Sequence, residues 1–354
     1  MAEPHTPLFI DLHIDNSLTP DVIRKCHVAD KAIQQRYGVR YLQILLNQPQ
    51  GYLFCLVEGP DKESCERVHQ EAHGNIACNI LEITESDFGA LLAKKQKDAM
   101  DFTLNADGTL DTGNRTILAI DLVGPNAEYR EAKQLIAETF DQHDGRSGAR
   151  FENRLLAVFD SCDGALQAAI TIAKRVRETK LSIEVRMGVD LGPPLRESGN
   201  FFEDVCKSAD RFCFISRAGH ITLPAKVMEL CAHHNTSHSN LLNVVPSNDA
   251  TLLNRLMSCI EKVWNESEVT IGALALDVGM SKSQLTRKVK MLSGLSPNDF
   301  VREFRLRKAM RLLQEGSMNI GEITMAIGFS NPSYFTKCFR KRFGKAPSDY
   351  YPAD

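Results

Sequence analysis

Apolar and polar positions follow two different periods along the first third of the chain. PLFIDLHI, VRYLQILLN, GYLFCLVEG and CNILEIT show the short apolar runs and period-two alternation of strands. Between them, TPDVIRKCHVADKAIQQRYG and DKESCERVHQEAHG carry the spacing of amphipathic helices. Thr19 should cap the first of these helices, Pro20 should sit in its first turn, and Gly38 should stop it. Residues 1–85 therefore read βαββαβ. Residues 86–114, which include KKQKDAMDFTLNADGTLDTGNR, hold few large apolar side chains and two turn signals, and are expected to form a linker. Residues 115–232 return to alternation. RTILAIDLV, RLLAVF, LSIEVRMGVD and GHITLP read as strands, and AEYREAKQLIAETF and DGALQAAITIAKRVRET as helices. Residues 233–249, with AHHNTSHSN, read as a second linker in which His233, His234 and His238 are either metal donors or solvated. From 250 to 354 only helical patterns remain.

Composition bounds what these segments can be. The 354 residues suit two or three domains. No apolar run approaches the ~20 residues of a membrane helix, and MAEPHTPLFIDLH lacks the basic start and apolar core of a secretory signal. Ten cysteines without a C-x-x-C pair read as reduced thiols, so a cytoplasmic protein without membrane partners is expected. The net charge of −3 conceals an asymmetry. Residues 250–354 hold 16 Lys and Arg against 10 Asp and Glu, or +6; the rest holds 26 against 35, or −9. A basic end on an acidic body points to a polyanionic partner.

That basic end contains a weak duplication. VTIGALALDVGMSKSQLTRKVKMLSG and MNIGEITMAIGFSNPSYFTKCFRKRFG each begin with a helical pattern, break at a glycine (Gly279, Gly328), and resume as a basic helix. Leu285, Val289 and Leu292 share one face of the first basic helix, and Phe335, Phe339 and Phe343 one face of the second; both stripes read as core. The opposite faces carry Ser283, Thr286, Arg287 and Lys290, then Ser333, Tyr334, Lys337 and Lys341, side-chain types that reach base edges and phosphates in a major groove. PNDFVREFRLRKAMRLLQ should form a long helix between the two units. Through IGALALDVGMSKSQLTRKVK, FRLRKAMRLL and IGFSNPSYFTKCFRKRFGKAPSDYY, the segment resembles the DNA-binding domain of the AraC/XylS transcription regulators. The resemblance implies two recognition helices in successive stretches of major groove. Tyr351 stands where an Arg often closes the family's last motif.

The central segment, through RTILAIDLVG, ENRLLAVFDSCDGALQAAI, VRMGVDLGPP and NFFEDVCKSADRFCFISRAGHITLP, resembles the catalytic domain of class III nucleotide cyclases. The family's chemistry uses two carboxylates for two divalent metals, and an amide and a guanidinium for transition-state charge. Asp121 occupies the first carboxylate position and Arg211 that of the arginine. Asn153 stands at the second carboxylate position, Ala149 at the base-reading position and Lys207 at that of the amide. A neutral amide is a poor ligand for a bare divalent cation. The domain is therefore expected to sense or dimerise rather than catalyse, with Lys207 and Arg211 available to an anion. A working cyclase fused to a DNA-binding module is the rival reading.

The βαββαβ order of residues 1–85 is that of the ferredoxin-like fold. Through FIDLHI, CHVADKAIQQRYGVRYL, FCLVEGP and ERVHQEAHG, it resembles a small ferredoxin-like family known for nickel binding. His69 and His73 lie one helical turn apart and can share a cation. His13, Cys26, His27, Asp30, Cys55 and Glu58 are further candidate ligands, and this donor mix suits nickel, copper or zinc. A solvated helix face, an apolar ligand pocket or a dimer face compete with the metal reading. The sequence thus describes a multidomain α+β protein: ferredoxin-like, then cyclase-like, then an all-α double helix-turn-helix. The expected function is a dimeric, ligand- or metal-responsive transcription regulator that binds double-stranded DNA.

Overall fold

The structure, a computed structural model, describes residues 6–75, 77–84, 89, 92, 95–124, 126–147, 155–179, 181–195, 200–231 and 240–351. Internal contacts group the chain into two compact units, one made of residues 1–118, 144–165 and 190–207, the other of residues 119–143, 166–189 and 208–354.

The first unit begins with the anticipated ferredoxin-like element order. Strand β1 (Leu8–Ile14) leads to α1 (Pro20–Ile33), β2 (Arg40–Asn47), β3 (Tyr52–Glu58), α2 (Lys62–Ala72) and β4 (Asn79–Ile83). The strands form an antiparallel sheet in the order β2-β3-β1-β4. Thr19 caps α1 by accepting from the Val22 amide, and Gly38 takes the left-handed conformation (φ 66°) that ends the 3-10 turn after it. Phe9, Leu53, Cys55 and Val57 face a core completed by Ile23 of α1 and Val68 of α2.

The 86–114 segment is not the linker its composition suggested. Its described part folds onto this sheet. Phe102 is fully buried in the N-terminal core. The Thr103 amide donates to the Ile44 carbonyl, and the Ile44 amide to the Asp101 carbonyl, each over 2.8 Å. Asp111 then clamps the buried Arg115 guanidinium through two 2.9 Å bonds. One aromatic anchor and a bidentate ion pair outweigh the low apolar content that composition registers.

A second sheet has the order β6-β5-β7-β8-β9, built from β5 (Arg115–Val123), β6 (Leu155–Phe159), β7 (Glu184–Gly192), β8 (Ile221–Pro224) and β9 (Leu242–Val245). The last three strands are parallel. Its helices are α3 (Asn126–Gln142), α4 (Cys162–Glu178), α5 (Glu203–Ile215) and the short α6 (Ala225–Leu230). Strand β9 corrects the second expected linker, 233–249: LNVV is too short to announce itself beside the polar run before it, yet pairs along all of β8. His233, His234 and His238, like Ala149 and Asn153, lie outside the described residues.

Six helices close the second unit: α7 (Ser247–Val263), α8 (Ile271–Asp277), α9 (Lys282–Ser293), α10 (Pro297–Glu315), α11 (Ile320–Ala326) and α12 (Pro332–Phe343). They divide between two apolar cores. Leu274, Leu285, Val289 and Phe300 belong to one, and Leu313, Ile323, Phe335 and Phe339 to the other, so α10 contributes to both. No helix among the described residues is long and apolar enough to cross a membrane.

Candidate nucleic-acid interface and metal cluster

Each of the two C-terminal helix pairs is set by a glycine and a cap. Gly279 (φ 71°) and Gly328 (φ 73°) take the left-handed conformation that only glycine adopts without strain. At Gly328 the turn is also tight, since a Cβ would lie 2.8 Å from the Asn265 carbonyl oxygen. Ser281 and Gln284 form a reciprocal capping box at the start of α9, and Asn331 accepts from the Tyr334 amide at the start of α12. Leu285 and Val289 are buried and Leu292 packs against them; Phe335, Phe339 and Phe343 repeat that stripe on α12. The eight candidate DNA contacts lie on the other faces. Ser283, Thr286, Arg287 and Lys290 on α9, and Ser333, Tyr334, Lys337 and Lys341 on α12, are all exposed. The Thr286 hydroxyl is turned inward to donate to the Lys282 carbonyl (2.8 Å).

Arg305, in the middle of α10, is a residue sequence reasoning missed. Its guanidinium donates to the Trp264 carbonyl (2.7 Å), the Gly328 carbonyl (3.1 Å) and the Glu266 carbonyl. One planar fork thereby ties the segment entering the first helix pair to the turn of the second. Tyr351 has a comparable use, donating to the Met318 carbonyl over 2.7 Å. The arginine spacing of FRLRKAM carries no signal that separates such a staple from a solvated charge.

In the first unit, the β1–β3 register sets Asp11 opposite Cys55. The alternation of β1 turns His13 to the same side as Asp11. Asp11, His13 and Cys55 form one donor cluster, and Asp30, His69 and His73 another; within each, the ligand atoms lie within 4.8 Å of one another. His69 links the clusters, its Nε2 lying 2.8 Å from Asp11 Oδ2 and its Nδ1 3.5 Å from Asp30 Oδ1. A cavity of about 360 Å³ opens beside them, its remaining wall including Leu18, Val22, Ile23 and Leu53. Cys26 lines this cavity but belongs to neither cluster.

Electrostatics bind these clusters tightly. Burial opposes the charge on Asp11, yet the adjacent His13 and His69 imidazoles hold its carboxyl well below the usual range. Asp30 is likewise lowered, against its burial, by His69 and His73. Burial disfavours the His69 imidazolium, but the hydrogen bonds and charges of Asp11 and Asp30 push its pKa up to about 10. His27 and Glu58 are not part of this arrangement. His27 Nε2 is 3.1 Å from Asp101 Oδ2, and Glu58 pairs with Arg40. Asp11, in turn, was not among the residues read from the sequence. The Asp-x-His alternation in FIDLHI was the available signal.

The donor set can be tested against a cation directly. His13 Nε2 is buried and has no hydrogen-bond partner. An orphaned ring nitrogen beside a carboxylate and a thiol is a ligand atom in waiting. The residues therefore fit a borderline transition metal.

The cyclase-type positions have a different environment. Asp121, on β5, meets Arg307 of α10, with Oδ2 and Nη1 3.3 Å apart. Arg211, on α5, donates to Glu261 Oε2 (2.7 Å), Ser258 Oγ (2.8 Å) and Asn254 Oδ1 (3.1 Å), all on α7. Lys207 is ion-paired with Glu203. Lys207 and Arg211 thus each face a carboxylate of the chain.

Residues 274–352 match the family described as "Helix-turn-helix domain". They are similar to the DNA-binding helix-turn-helix domains of AraC-type regulators. Residues 9–83 match "Nickel responsive protein SCO4226-like". Among curated relatives, Histidine kinase P4 of Formosa agariphila is 33% identical over 118 residues, which are 32% of this chain and 9% of that one. The HTH-type transcriptional activator RhaS of Salmonella schwarzengrund is 34% identical over 111 residues, 31% of this chain and 39% of that one. The chain thus spans well under half of these relatives' length. Among solved structures, SCO4226 from Streptomyces coelicolor A3(2) is 34% identical, covering 22% of this chain and 98% of its own, with a TM-score of 0.22. An adenylate/guanylate cyclase/hydrolase from Silicibacter pomeroyi is 26% identical, covering 33% and 79%, with a TM-score of 0.29. The chain is a mixed helix-and-sheet multidomain protein in which residues 9–83 are similar to the SCO4226-like family and residues 274–352 to helix-turn-helix domains of transcription regulators.

Proposed function

We propose that the whole chain is a cytoplasmic, homodimeric transcription regulator that binds double-stranded DNA through α9 and α12 and responds to a transition metal in its N-terminal domain. The observation that carries the DNA reading is the pair of capped basic helices, each with a buried apolar stripe and an exposed polar one. Two such helices tied to one long α10 suit two successive stretches of major groove. Arg287 is the candidate for bidentate base contact; Lys290, Lys337 and Lys341 suit phosphates. The metal reading is supported by the two donor clusters and the orphaned His13 nitrogen. Asp11, His13, Cys55, Asp30, His69 and His73 would hold the ion, nickel or zinc. Bound metal would neutralise carboxylates that now pair with protonated imidazole.

The central domain is proposed to be non-catalytic, because Asp121 and Arg211 already have partners within the chain. In vitro selection from random duplexes, with and without Ni²⁺, tests the main reading. Enrichment of one sequence, with affinity falling steeply as salt rises, is expected; failure to enrich any sequence under either condition overturns it. Incubation with ATP or GTP and Mn²⁺ tests the rest, since cyclic product above that of an Asp121→Ala control would make the chain an enzyme.

A further inference from the structure

The two cyclase-type residues kept in this sequence are both bound to helices of the C-terminal half. Asp121 faces Arg307 of α10, and Arg211 is held by Asn254, Ser258 and Glu261 of α7. The contact does not rest on these pairs alone. Phe214, at the end of α5, stacks edge-on against Phe300 (5.0 Å) and Phe304 (5.7 Å) of α10, and the Arg307 guanidinium lies 4.5 Å over the same ring. Phe212 and Ile215 share one core with Leu253, Leu256 and Met257 of α7, while Val123 of β5 shares another with Leu306, Met310 and Leu313 of α10. A chain of charges extends the same seam: Glu303 accepts from both Arg307 (2.9 Å) and Arg342 (2.8 Å), and Arg342 reaches Glu184 of β7 (3.4 Å).

A shared apolar core resists separation, because parting it returns all of that surface to water. Buried ion pairs add little net stability over apolar replacements, but a misplaced partner leaves an uncompensated charge, so they select one register. Helix α10 is the element so fixed, and it is also the rod between the two helix pairs, with Arg305 tying it to the segment that enters the first pair and to the turn of the second. The arrangement leaves the outward faces of α9 and α12 exposed. It positions the recognition helices without covering them.

We propose that the face of the central domain bearing Asp121 and Arg211 is the docking platform for the DNA-binding domain, and that this docking fixes α10 and with it the separation of the two recognition helices. The face that would hold metal and triphosphate in a cyclase is used here to register a partner within the same chain. This inference rests on the DNA-binding reading for its purpose, but its geometry can be tested with no DNA present.

The test uses the full chain with keto-amino-acid spin labels at positions 290 and 341, since ten free cysteines rule out thiol labelling. Pulsed-EPR distance distributions and hydrogen exchange are compared between the parent and the double variant Asp121→Ala/Arg211→Ala. The expected result is a single narrow distance in the parent. In the variant the distribution should widen about twofold, and exchange in 247–263 and 297–315 should rise roughly tenfold, with 8–83 unchanged. A variant that keeps the parent's distribution and protection overturns the proposal. If the alanine pair loses protection throughout the chain, Asp121→Asn/Arg211→Gln takes its place and the same two outcomes decide. A parent chain that shows the single narrow distance yet binds no duplex would instead fault the recognition faces.

Discussion

Arg287→Ala should separate the proposed DNA contact from folding. The side chain is exposed on α9 and makes no hydrogen bond or ion pair among the described residues. Alanine is at least as good a helix former, so folding stability should stay within about 0.5 kcal/mol of the parent. A bidentate arginine–guanine contact is worth ~1–3 kcal/mol of discrimination, which corresponds to a loss of roughly 5- to 150-fold in affinity for the selected duplex. Fluorescence anisotropy on that duplex gives the affinity, and thermal melting gives the stability control. Lys290→Ala, one turn further on, should weaken all sequences alike and lower the slope of log K against log salt by ~0.9, the value for one phosphate. Leu285→Ala, on the fully buried face of the same helix, should cost ~2–5 kcal/mol of stability and lose binding through unfolding. Arg287→Ala binding the selected duplex as tightly as the parent, with unchanged sequence preference, would refute the assignment of this face.

Phe339→Ala removes a ring packed between Phe335 (5.6 Å), Phe343 (4.6 Å) and Tyr350 (5.5 Å), and should destabilise the second helix pair by ~3–5 kcal/mol in urea unfolding; less than ~1 kcal/mol would mean that the pocket collapses or was never tight. Nickel at a hundred times its dissociation constant should stabilise the N-terminal domain by ~2.7 kcal/mol. That increment should vanish in His69→Ala/His73→Ala but survive in Glu58→Ala, whose carboxylate pairs with Arg40; the reverse pattern in a thermal-shift titration would misplace the site. Asp160 is partly buried, which alone would raise it, but the Arg146 hydrogen bond and the Arg115 charge lower its pKa to about 2. A depressed folded-state pKa contributes stability above the ordinary carboxylate value of ~4 and loses it as pH falls towards the folded value. Stability should therefore drop between those two pH values, and Asp160→Asn should flatten that limb; an unchanged acid limb would show that the pairing contributes nothing.

Much of this fold was legible because its elements announce themselves locally. Thr19 and Pro20 begin α1 and Gly38 ends the 3-10 turn that follows it, where their backbone preferences require, and the Leu285 and Phe335 stripes mark core faces that need only a helical period to be found. The linker readings failed where single anchors act. Phe102 and Arg115 each draw a polar segment into the interior, and no composition average registers one residue. The metal cluster was half visible. His69 and His73 share a helix, so their proximity is sequence-local, whereas Asp11 and Cys55 come together only through the antiparallel register of β1 and β3. His27 and Glu58 have suitable chemistry, but Asp101 and Arg40 reach them first.

The same rule of prior occupancy governs the central domain. Matching Asp121 and Arg211 to cyclase positions says which groups stand on that face, not what they meet. Asp121 and Arg307 lie 186 residues apart, and no period or motif joins them. A guanidinium 3.3 Å from one oxygen of Asp121 competes with a divalent cation for that carboxylate, since the cation must approach a like-charged neighbour stacked over the Phe214 ring. The non-catalytic reading therefore does not rest on Asn153 alone. Restoring an acid at position 153 would still leave Arg307 against Asp121 and Glu261 against Arg211. Asn153→Asp should accordingly yield no cyclic nucleotide above the Asp121→Ala background, and measurable product from that single change would overturn the non-catalytic reading.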